Sequence, residues 1–147
     1  MYTAMLVAGL FVLFLFVLML ISYIPFSLGL YRMAVKCGVE NPWLAWVPFA
    51  NLYVMGLIVR ELKFQDYEVP RPELVLPAAA LLNIVVSQIP FAGMLFSLAV
   101  LLLTGLAIYR LNLIFKKESA LLFTLLWLVP LVGPFLILSV SKYDPEY

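Results

Sequence analysis

Apolar residues occur along this chain in long runs, which short clusters of charged residues separate. The runs cover about residues 4–30, 43–59, 74–109 and 119–141. A helix rises about 1.5 Å per residue and needs about 20 residues to cross the hydrocarbon of a membrane. The pattern predicts membrane-spanning helices. The first and last runs fit one span each, and 43–59 fits a short one.

The third run, 74–109, has two interpretations. As one straight helix it would be about 54 Å long, against a hydrocarbon core of about 30 Å. A break is expected between Ser87 and Gly93, because Pro90 lacks a backbone donor. Either two short spans form a hairpin, 74–89 and 91–109, or one long kinked helix projects from the bilayer. The first gives five spans and the second gives four.

The charged residues form four islands, whose Lys and Arg residues bear on orientation. The islands are Arg32, Lys36 and Glu40; Arg60, Glu61, Lys63, Asp66, Glu68, Arg71 and Glu73; Arg110, Lys116, Lys117 and Glu118; and the tail residues Lys142, Asp144 and Glu146. With five spans, the second and third islands share a side and favour an N-terminus inside. With four spans, the first and third share a side and favour the opposite orientation.

Composition supports lipid as the surrounding solvent. Of 147 residues, 66% are hydrophobic and 12% charged, and the mean hydropathy is +1.12. Soluble domains average about half apolar and a quarter charged. We therefore expect a single all-α integral membrane domain over 1–147, a polytopic bundle of four or five spans in contact with lipid. The net charge of +1 and the lack of a basic cluster argue against nucleic acid.

The first run is expected to be a retained span rather than a signal peptide. Residues 1–24 contain no Lys or Arg, and the apolar run Ala4–Ile21 is longer than an ordinary signal core. No cleavage site of the A-x-A type follows it.

The side chains offer little for catalysis or metal binding. The chain has no histidine, and Cys37 is its one cysteine. These counts argue against an intrachain disulfide and against a metal, and we expect no cofactor. A nucleophile such as Ser87 or Ser97 would lack a base. We therefore expect a protein that is not an enzyme.

Polar and aromatic side chains inside the runs are the candidate helix-contact or polar sites. Proline frees a backbone carbonyl one turn earlier, and an amide in lipid needs a partner. One interpretation is a small polar site beside a kinked helix, and the favoured one is helix packing with aromatic anchoring at the membrane surface. The candidates are Trp43, Trp46, Pro48, Asn51, Tyr53, Asn83, Gln88, Pro130 and Pro134.

The charged loop 60–73 is a candidate docking segment for a partner. Its mixed charges indicate a solvated, self-neutralised loop rather than a catalytic carboxylate pair. The candidate docking residues are Arg60, Lys63, Asp66, Tyr67, Glu68 and Arg71.

A weak internal echo relates two parts of the chain. Tyr31-Arg32 leads to Glu40 and then Trp46-Val47-Pro48, and Tyr109-Arg110 leads to Glu118 and then Trp127-Leu128-Val129-Pro130. With five spans the two units would run in opposite directions, as in the inverted repeats of many transporters. The alternative is coincidence.

The segment Trp43 to Val54 resembles the signature of a family of small uncharacterised bacterial multi-pass membrane proteins. Its pattern is Trp-x4-Pro-x2-Asn-Leu-Tyr, here Trp43, Pro48 and Asn51-Leu52-Tyr53, and Lys36-x-Gly38 precedes it. The order of later features is also similar, but this chain has an extra apolar insert around 74–88. The resemblance implies a multi-pass protein of a bacterial plasma membrane and implies no activity.

Two functional hypotheses follow from these features. The first is a non-enzymatic membrane subunit or scaffold that packs against other integral membrane proteins or itself. Small residues that would allow close helix contacts are Gly29, Gly56, Gly93, Gly105 and Ala78–Ala80. The alternative is a small transporter, channel or lipid-handling protein that acts as a homo-oligomer.

Overall fold

The computed structural model describes residues 2–64, 67–129 and 131–146, and its fold is helical apart from one short β-hairpin. The α-helices are α1 (Tyr2–Lys36), α2 (Ala50–Val59), α3 (Pro72–Val86), α4 (Ala92–Phe115), α5 (Ala120–Trp127) and α6 (Gly133–Val140). Two 3₁₀ helices cover Pro42–Trp46 and Lys117–Ser119, and the strands are β1 (Leu62–Phe64) and β2 (Tyr67–Val69). The predicted all-helical class is confirmed at this level.

Helix α1 is 35 residues long and ends in a glycine turn. Gly38 has a φ of 71°, a left-handed conformation that glycine adopts without steric cost. The N–H of Val39 donates to the carbonyl of Ala34 and that of Gly38 to Val35, which is the Schellman arrangement. The turn satisfies the last carbonyls of α1 and sends the chain back along the helix.

The segment after α1 runs back beside it. The Tyr23 hydroxyl donates to the Trp46 carbonyl at 2.7 Å. Tyr23 lies thirteen residues before Lys36, so Trp46 sits about 20 Å back along α1 from its end. Residues 37–46 therefore run back along α1, away from its C-terminal end. Helix α2, ten residues long, then runs toward that end again. We call this segment, residues 37–59, the first hairpin.

The predicted helical run 43–59 is thus two elements with a break between them. Val47 is extended, with φ −93° and ψ 126°, and Phe49 has a φ of 66° before α2 begins. Proline disfavours helical geometry in the residue before it, and Pro48 also has no N–H to donate. The break is therefore at Pro48, and the run turns around instead of continuing.

Two further hairpins follow. Helices α3 and α4 pack against each other after a turn at 87–91, where a Cβ on Gly93 would lie 2.8 Å from the Cα of Ser87. Helices α5 and α6 also pack together, so the predicted run 119–141 is two helices of eight residues. Pro134 stands at the start of α6, where a missing N–H costs no bond.

The described residues of the four charged islands lie at one end of the molecule, which we call the charged end. Lys36 bonds the carbonyls of Lys142 and Tyr143, which joins the first island to the tail. Arg110 bonds the carbonyl of Glu61, which joins the third island to the second. In both topologies considered from the sequence, the third island and the tail lie on opposite sides of the membrane. In this fold Lys116 bonds the Tyr143 hydroxyl, so the two lie at the same end, because the hairpin of α5 and α6 returns to the end from which it starts.

The two similar units, which begin at Tyr31-Arg32 and at Tyr109-Arg110, are also not inverted relative to each other. Helices α1 and α4 both end at the charged end, and each is followed by a short 3₁₀ helix. The two units therefore point in the same direction, since α3 carries the chain away from the charged end before α4 brings it back.

The charged loop contains the β-hairpin, which was not predicted. Leu62 pairs with Val69 and Lys63 with Glu68 in antiparallel register. Leu62 is fully buried, so the hairpin lies against the helices. Strand β1 contacts α4.

The apolar core lies near the charged end, and much of the rest of the surface is apolar. Core residues come from the last turns of α1, α2, α4 and α6; they include Leu30, Met33, Val54, Ile58, Ile108, Leu111, Ile137 and Val140. Two described helices, α1 and α4, are long and apolar enough to cross a membrane. Helices α2 and α3 are apolar but shorter.

Close backbone contact between α1 and α6 depends on Gly29. A Cβ at this position would lie 2.8 Å from the backbone nitrogen of Leu138. We expect Gly29→Ala to lower the thermal unfolding midpoint in detergent by several degrees, because overpacking costs about 1–3 kcal/mol.

Gly9→Ala is the matched control on the same helix. Nothing lies within 4 Å of its Cβ position, and alanine favours a helix over glycine by about 1 kcal/mol. An unchanged midpoint for Gly29→Ala, or an equal loss for Gly9→Ala, would show that α1 and α6 do not pack as described.

Candidate functional site

The charged end is the candidate functional site, because polar side chains converge there around two cavities. The ends of α1, α2, α4 and α6 supply them, together with the beginnings of α3 and α5. Elsewhere the described surface is largely apolar. Recognition of a charged or polar group is therefore expected at this end.

The first cavity has a volume of about 280 Å³ and lies between the turn after α1 and the outer face of α2. Gly38 and Asn41 line it from the turn, and Tyr53 and Arg60 line it from α2 and its end. Arg60 also lines the second cavity, so it stands between the two.

The second cavity, of about 510 Å³, lies between the ends of α2 and α4 and the C-terminal tail. Its residues combine three cations, two carboxylates and three apolar side chains. They are Arg60, Arg110, Lys117, Glu61, Glu146, Val59, Leu113 and Ile114. The Nε of Arg110 donates to the carbonyl of Glu61 at 3.3 Å, which holds the α4 and α2 sides of the cavity together.

Lys36 fixes the C-terminal tail against the end of α1. Its ammonium donates to the carbonyl oxygens of Lys142 at 3.0 Å and Tyr143 at 2.7 Å. It also lies 3.2 Å from a carboxylate oxygen of Asp144, whose side chain is 93% exposed. An ion pair this open to water contributes about 1 kcal/mol or less, so the carbonyl bonds are the more important contacts.

Lys116 holds the tail from the side of α4. Its ammonium lies 5.0 Å from the centre of the Phe123 ring and 4.7 Å from that of Tyr143, and it bonds the Tyr143 hydroxyl. The N–H of Glu146 donates to the Ile114 carbonyl at 2.7 Å. The tail thereby forms one wall of the second cavity.

The Trp-to-Tyr motif forms the first hairpin. Trp43 and Trp46 are exposed, and Trp46 contributes only its carbonyl, to Tyr23. Pro48 makes the turn, and the half-buried Asn51 lies just after it, at the start of α2. The Asn51 side chain makes no hydrogen bond to any described residue, whereas Tyr53 lines the first cavity.

The other predicted polar positions are separate from the charged end. Asn83 accepts a hydrogen bond from Ser97 at 2.8 Å, which links α3 to α4. Gln88 is exposed in the turn between these helices. Pro134 is at the start of α6, and Pro130 is outside the described residues. The structure therefore does not gather these residues into one site.

The predicted docking residues spread over both sides of the β-hairpin. Arg60 and Arg71 flank it, both with positive φ, of 58° and 49°. Tyr67 and Glu68 are exposed on β2, and Lys63 pairs with Glu68 in the register of the strands. Asp66 is outside the described residues. Among the described members of this set, Arg60 alone lines either of the two cavities.

Several contacts of the charged end were not predicted. Lys36 and Lys116 were not predicted to contact the tail, because sequence distance gave no sign that the tail lies between them. Asn112 is buried and bonds the Thr124 hydroxyl at 3.2 Å, joining α4 to α5. An asparagine in an apolar helix followed after twelve residues by a threonine was the available signal.

The charged end combines cationic and apolar side chains. Arginine and lysine beside apolar side chains suit an anionic group attached to an apolar body. Among the described residues, no three His, Cys, Asp or Glu side chains come together in a way that could hold a metal ion. Comparison with family models, curated proteins and solved structures finds no match for this chain.

The role of Lys36 can be tested by its replacement. We expect Lys36→Met to release the tail, because two backbone carbonyls lose their donor. Hydrogen exchange of residues 142–146 should become several-fold faster, while exchange in the α4 core should not change.

Asp144→Asn separates the two kinds of contact. It removes only the exposed ion pair, so tail exchange should stay near that of the unmodified chain. If both variants release the tail equally, the ion pair rather than the carbonyl bonds holds it.

Proposed function

We propose that this chain is a non-enzymatic, multi-pass subunit or scaffold of a cell membrane, which packs against other membrane proteins through open faces of α1 and α4. The observation that carries the proposal is the open space at two helix glycines, Gly9 and Gly105. The resemblance of the Trp43–Val54 segment to a bacterial membrane family supports the same setting, a bacterial plasma membrane.

Membrane insertion is supported by the distribution of apolar side chains. The most apolar 18-residue window of α1 has no buried residue. Leu102 on α4 is 67% exposed, and other large apolar side chains around the molecule are similarly open. An apolar surface of this extent would promote aggregation in water, whereas lipid solvates it.

The helix glycines fall into two groups, those packed against another segment of the chain and those with open space beside them. Gly29, Gly56, Gly93 and Gly133 each lie so close to a neighbouring segment that a Cβ would collide with it. Gly9 and Gly105 have nothing within 4 Å of their Cβ positions. A glycine inside a helix costs about 1 kcal/mol relative to alanine, and in membranes small residues allow helices to approach closely. These two positions therefore favour contact with helices outside the chain.

Asn51 supplies a second, polar contact. It lies at the reversal of the first hairpin, about 20 Å from the end of α1, and its amide is half-buried without a described partner. An amide at membrane depth favours a partner helix or water that can complete its hydrogen bonds.

The test is co-purification from native membranes in mild detergent, with quantitative mass spectrometry of the accompanying proteins. Gly9→Leu and Gly105→Leu should each reduce a stoichiometric partner several-fold. Their own unfolding midpoints should stay unchanged, because the added side chains meet nothing inside the chain.

Ala99→Leu is the matched control for Gly105→Leu. Ala99 is exposed on a different face of α4, and the added bulk should leave the partner in place. Full retention of the partner by both glycine variants would contradict the subunit proposal. A chain that purifies alone as a homo-oligomer, with solute or lipid flux in proteoliposomes, would favour transport instead.

The proposed orientation of the chain in the membrane follows from the position of the charged islands at one end of the molecule. All described Lys and Arg residues belong to segments at the charged end, and positive residues favour the cytoplasmic side. We place that end in the cytoplasm and the beginning of α1 outside. Helices α1, α3 and α4 then cross. The first hairpin and α5–α6 enter and leave from the cytoplasm, since eight to ten residues span only about 12–15 Å.

This orientation can be tested by cysteine labelling of spheroplasts in a Cys37→Ala background. A cysteine at Gln88, in the α3–α4 turn, should react with an impermeant maleimide added outside. A cysteine at Glu118 should react only after lysis. Labelling of Glu118→Cys from outside would show that the orientation is the opposite one. Protection of Gln88→Cys from maleimide on both sides would show that α3 and α4 do not cross the membrane.

A small transporter or lipid-handling protein is the second candidate function. The reversals at 47–49 and between Trp127 and Gly133 favour it, because interrupted helices in membranes commonly border a solute path. The subunit proposal has the stronger support, since the two described cavities lie at the charged end rather than between these reversals.

A further inference from the structure

We propose that the second cavity binds the phosphate of an anionic phospholipid, with the lipid's acyl chains lying along α4. The proposal rests on the membrane insertion argued above but not on the partner contact of α1. A chain that has no protein partner could still carry this lipid.

The charges around the cavity match a monoanionic headgroup. Arg60, Arg110 and Lys117 provide three cations against the carboxylates of Glu61 and Glu146, leaving a net charge of +1. A phosphodiester of charge −1 neutralises the set, and the carboxylates can accept hydrogen bonds from headgroup hydroxyls. A zwitterionic headgroup would leave the positive charge in place.

The cavity is held open by contacts on two sides. The bond from Arg110 to the Glu61 carbonyl fixes α4 relative to the chain after α2. The bond from the Glu146 N–H to the Ile114 carbonyl fixes the tail on the other side. The volume of about 510 Å³ is therefore formed by the fold and does not need a ligand to separate the walls.

An apolar stripe continues from the cavity along α4, which favours a lipid over free phosphate. Leu113 lines the cavity, and Leu102, Leu98 and Leu95 lie on the same side of the helix at helical spacing. These three leucines are exposed, at 67%, 51% and 67%. The stripe runs from the charged end toward the α3–α4 turn, as acyl chains would run from a headgroup.

The position also agrees with the proposed orientation. Lipid phosphates lie at the membrane surface, and basic pockets between helices on the cytoplasmic side bind anionic headgroups. Arg110 lies on α4 about one turn before the helix ends at Phe115, where the helix would leave the hydrocarbon. The guanidinium would thus meet the phosphate at its natural depth.

The experiment measures thermal unfolding of the purified full chain in a non-ionic detergent. The additions are phosphatidylglycerol, phosphatidylethanolamine and inorganic phosphate. Phosphatidylglycerol should raise the unfolding midpoint in a saturable manner, since a ligand that binds only the folded state stabilises it. The other two should give little or no shift.

Variants locate the effect. Arg110→Gln and Lys117→Gln should each weaken the apparent affinity for phosphatidylglycerol by about tenfold, the value of one charge-assisted contact. The Lys117 side chain makes no hydrogen bond to another described residue, so its replacement should leave the fold intact even if Arg110→Gln weakens it. Arg32→Gln, at an exposed position that does not line the cavity, is the charge-matched control and should bind as the unmodified chain does.

The possible outcomes distinguish lipid binding in the second cavity from its alternatives. An equal shift with inorganic phosphate would assign the cavity to free phosphate and overturn the lipid proposal. An equal shift with phosphatidylethanolamine would overturn recognition of net charge. Equal loss of affinity in Arg32→Gln and Lys117→Gln would show general attraction to the charged end rather than binding in this cavity. Loss of the protein partner in Gly9→Leu with the lipid shift retained would separate this site from the proposed function.

Discussion

The fold depends on keeping its charges at one end. An ion removed from water loses several kcal/mol of solvation, which pairing offsets only when the geometry is good. The islands are therefore unfavourable within the apolar body of the molecule. Every apolar segment after α1 must therefore leave the charged end and return to it. In the part of the chain that the structure describes, the reversals away from the charged end lie at 47–49, at 87–91 and between Trp127 and Gly133. Once these are made, Lys36, Arg110 and Lys116 lie close enough to bond the neighbouring islands and the tail.

Proline does not by itself determine where the chain reverses. Pro25 lies inside α1 and Pro77 inside α3, whereas Pro48 and Pro90 lie in turns. Pro25 and Pro48 differ in the helix around them. Helix formation is cooperative, so the long runs on both sides of Pro25 maintain the helix across one missing bond. The five-residue 3₁₀ helix before Pro48 has no such reserve. Pro48 therefore ends the element, and the extended Val47 begins the turn.

The sequence predicted the positions of the helices along the chain better than it predicted their directions in the fold. The apolar runs contain most of each described α-helix, although α1 and α4 continue six residues beyond their runs, to Lys36 and Phe115. The expected break between Ser87 and Gly93 coincides with the turn between α3 and α4. Hydropathy measures the length of a run but not its direction. A run of seventeen residues such as 43–59 predicts one short span as readily as two shorter elements that reverse. The candidate site depended on those directions, so Arg60 and Tyr53 were predicted as separate features although they line one cavity. The role of Lys36 was hidden because its contacts lie more than 100 residues away in the chain.

The same constraint explains why internal packing and outside contacts occupy different parts of the molecule. In lipid, burying leucine against leucine gains little over leucine against acyl chains, so helices associate where backbones approach closely. Near the charged end, Gly29 and Gly56 allow α1 to meet α6 and α2 to meet α3. The bonds of Lys36 and Arg110 hold this end together from the polar side. The first half of α1 has neither kind of contact, and Gly9 lies open within it. A glycine without an internal neighbour weakens its own helix, and close approach by a second helix would offset that cost.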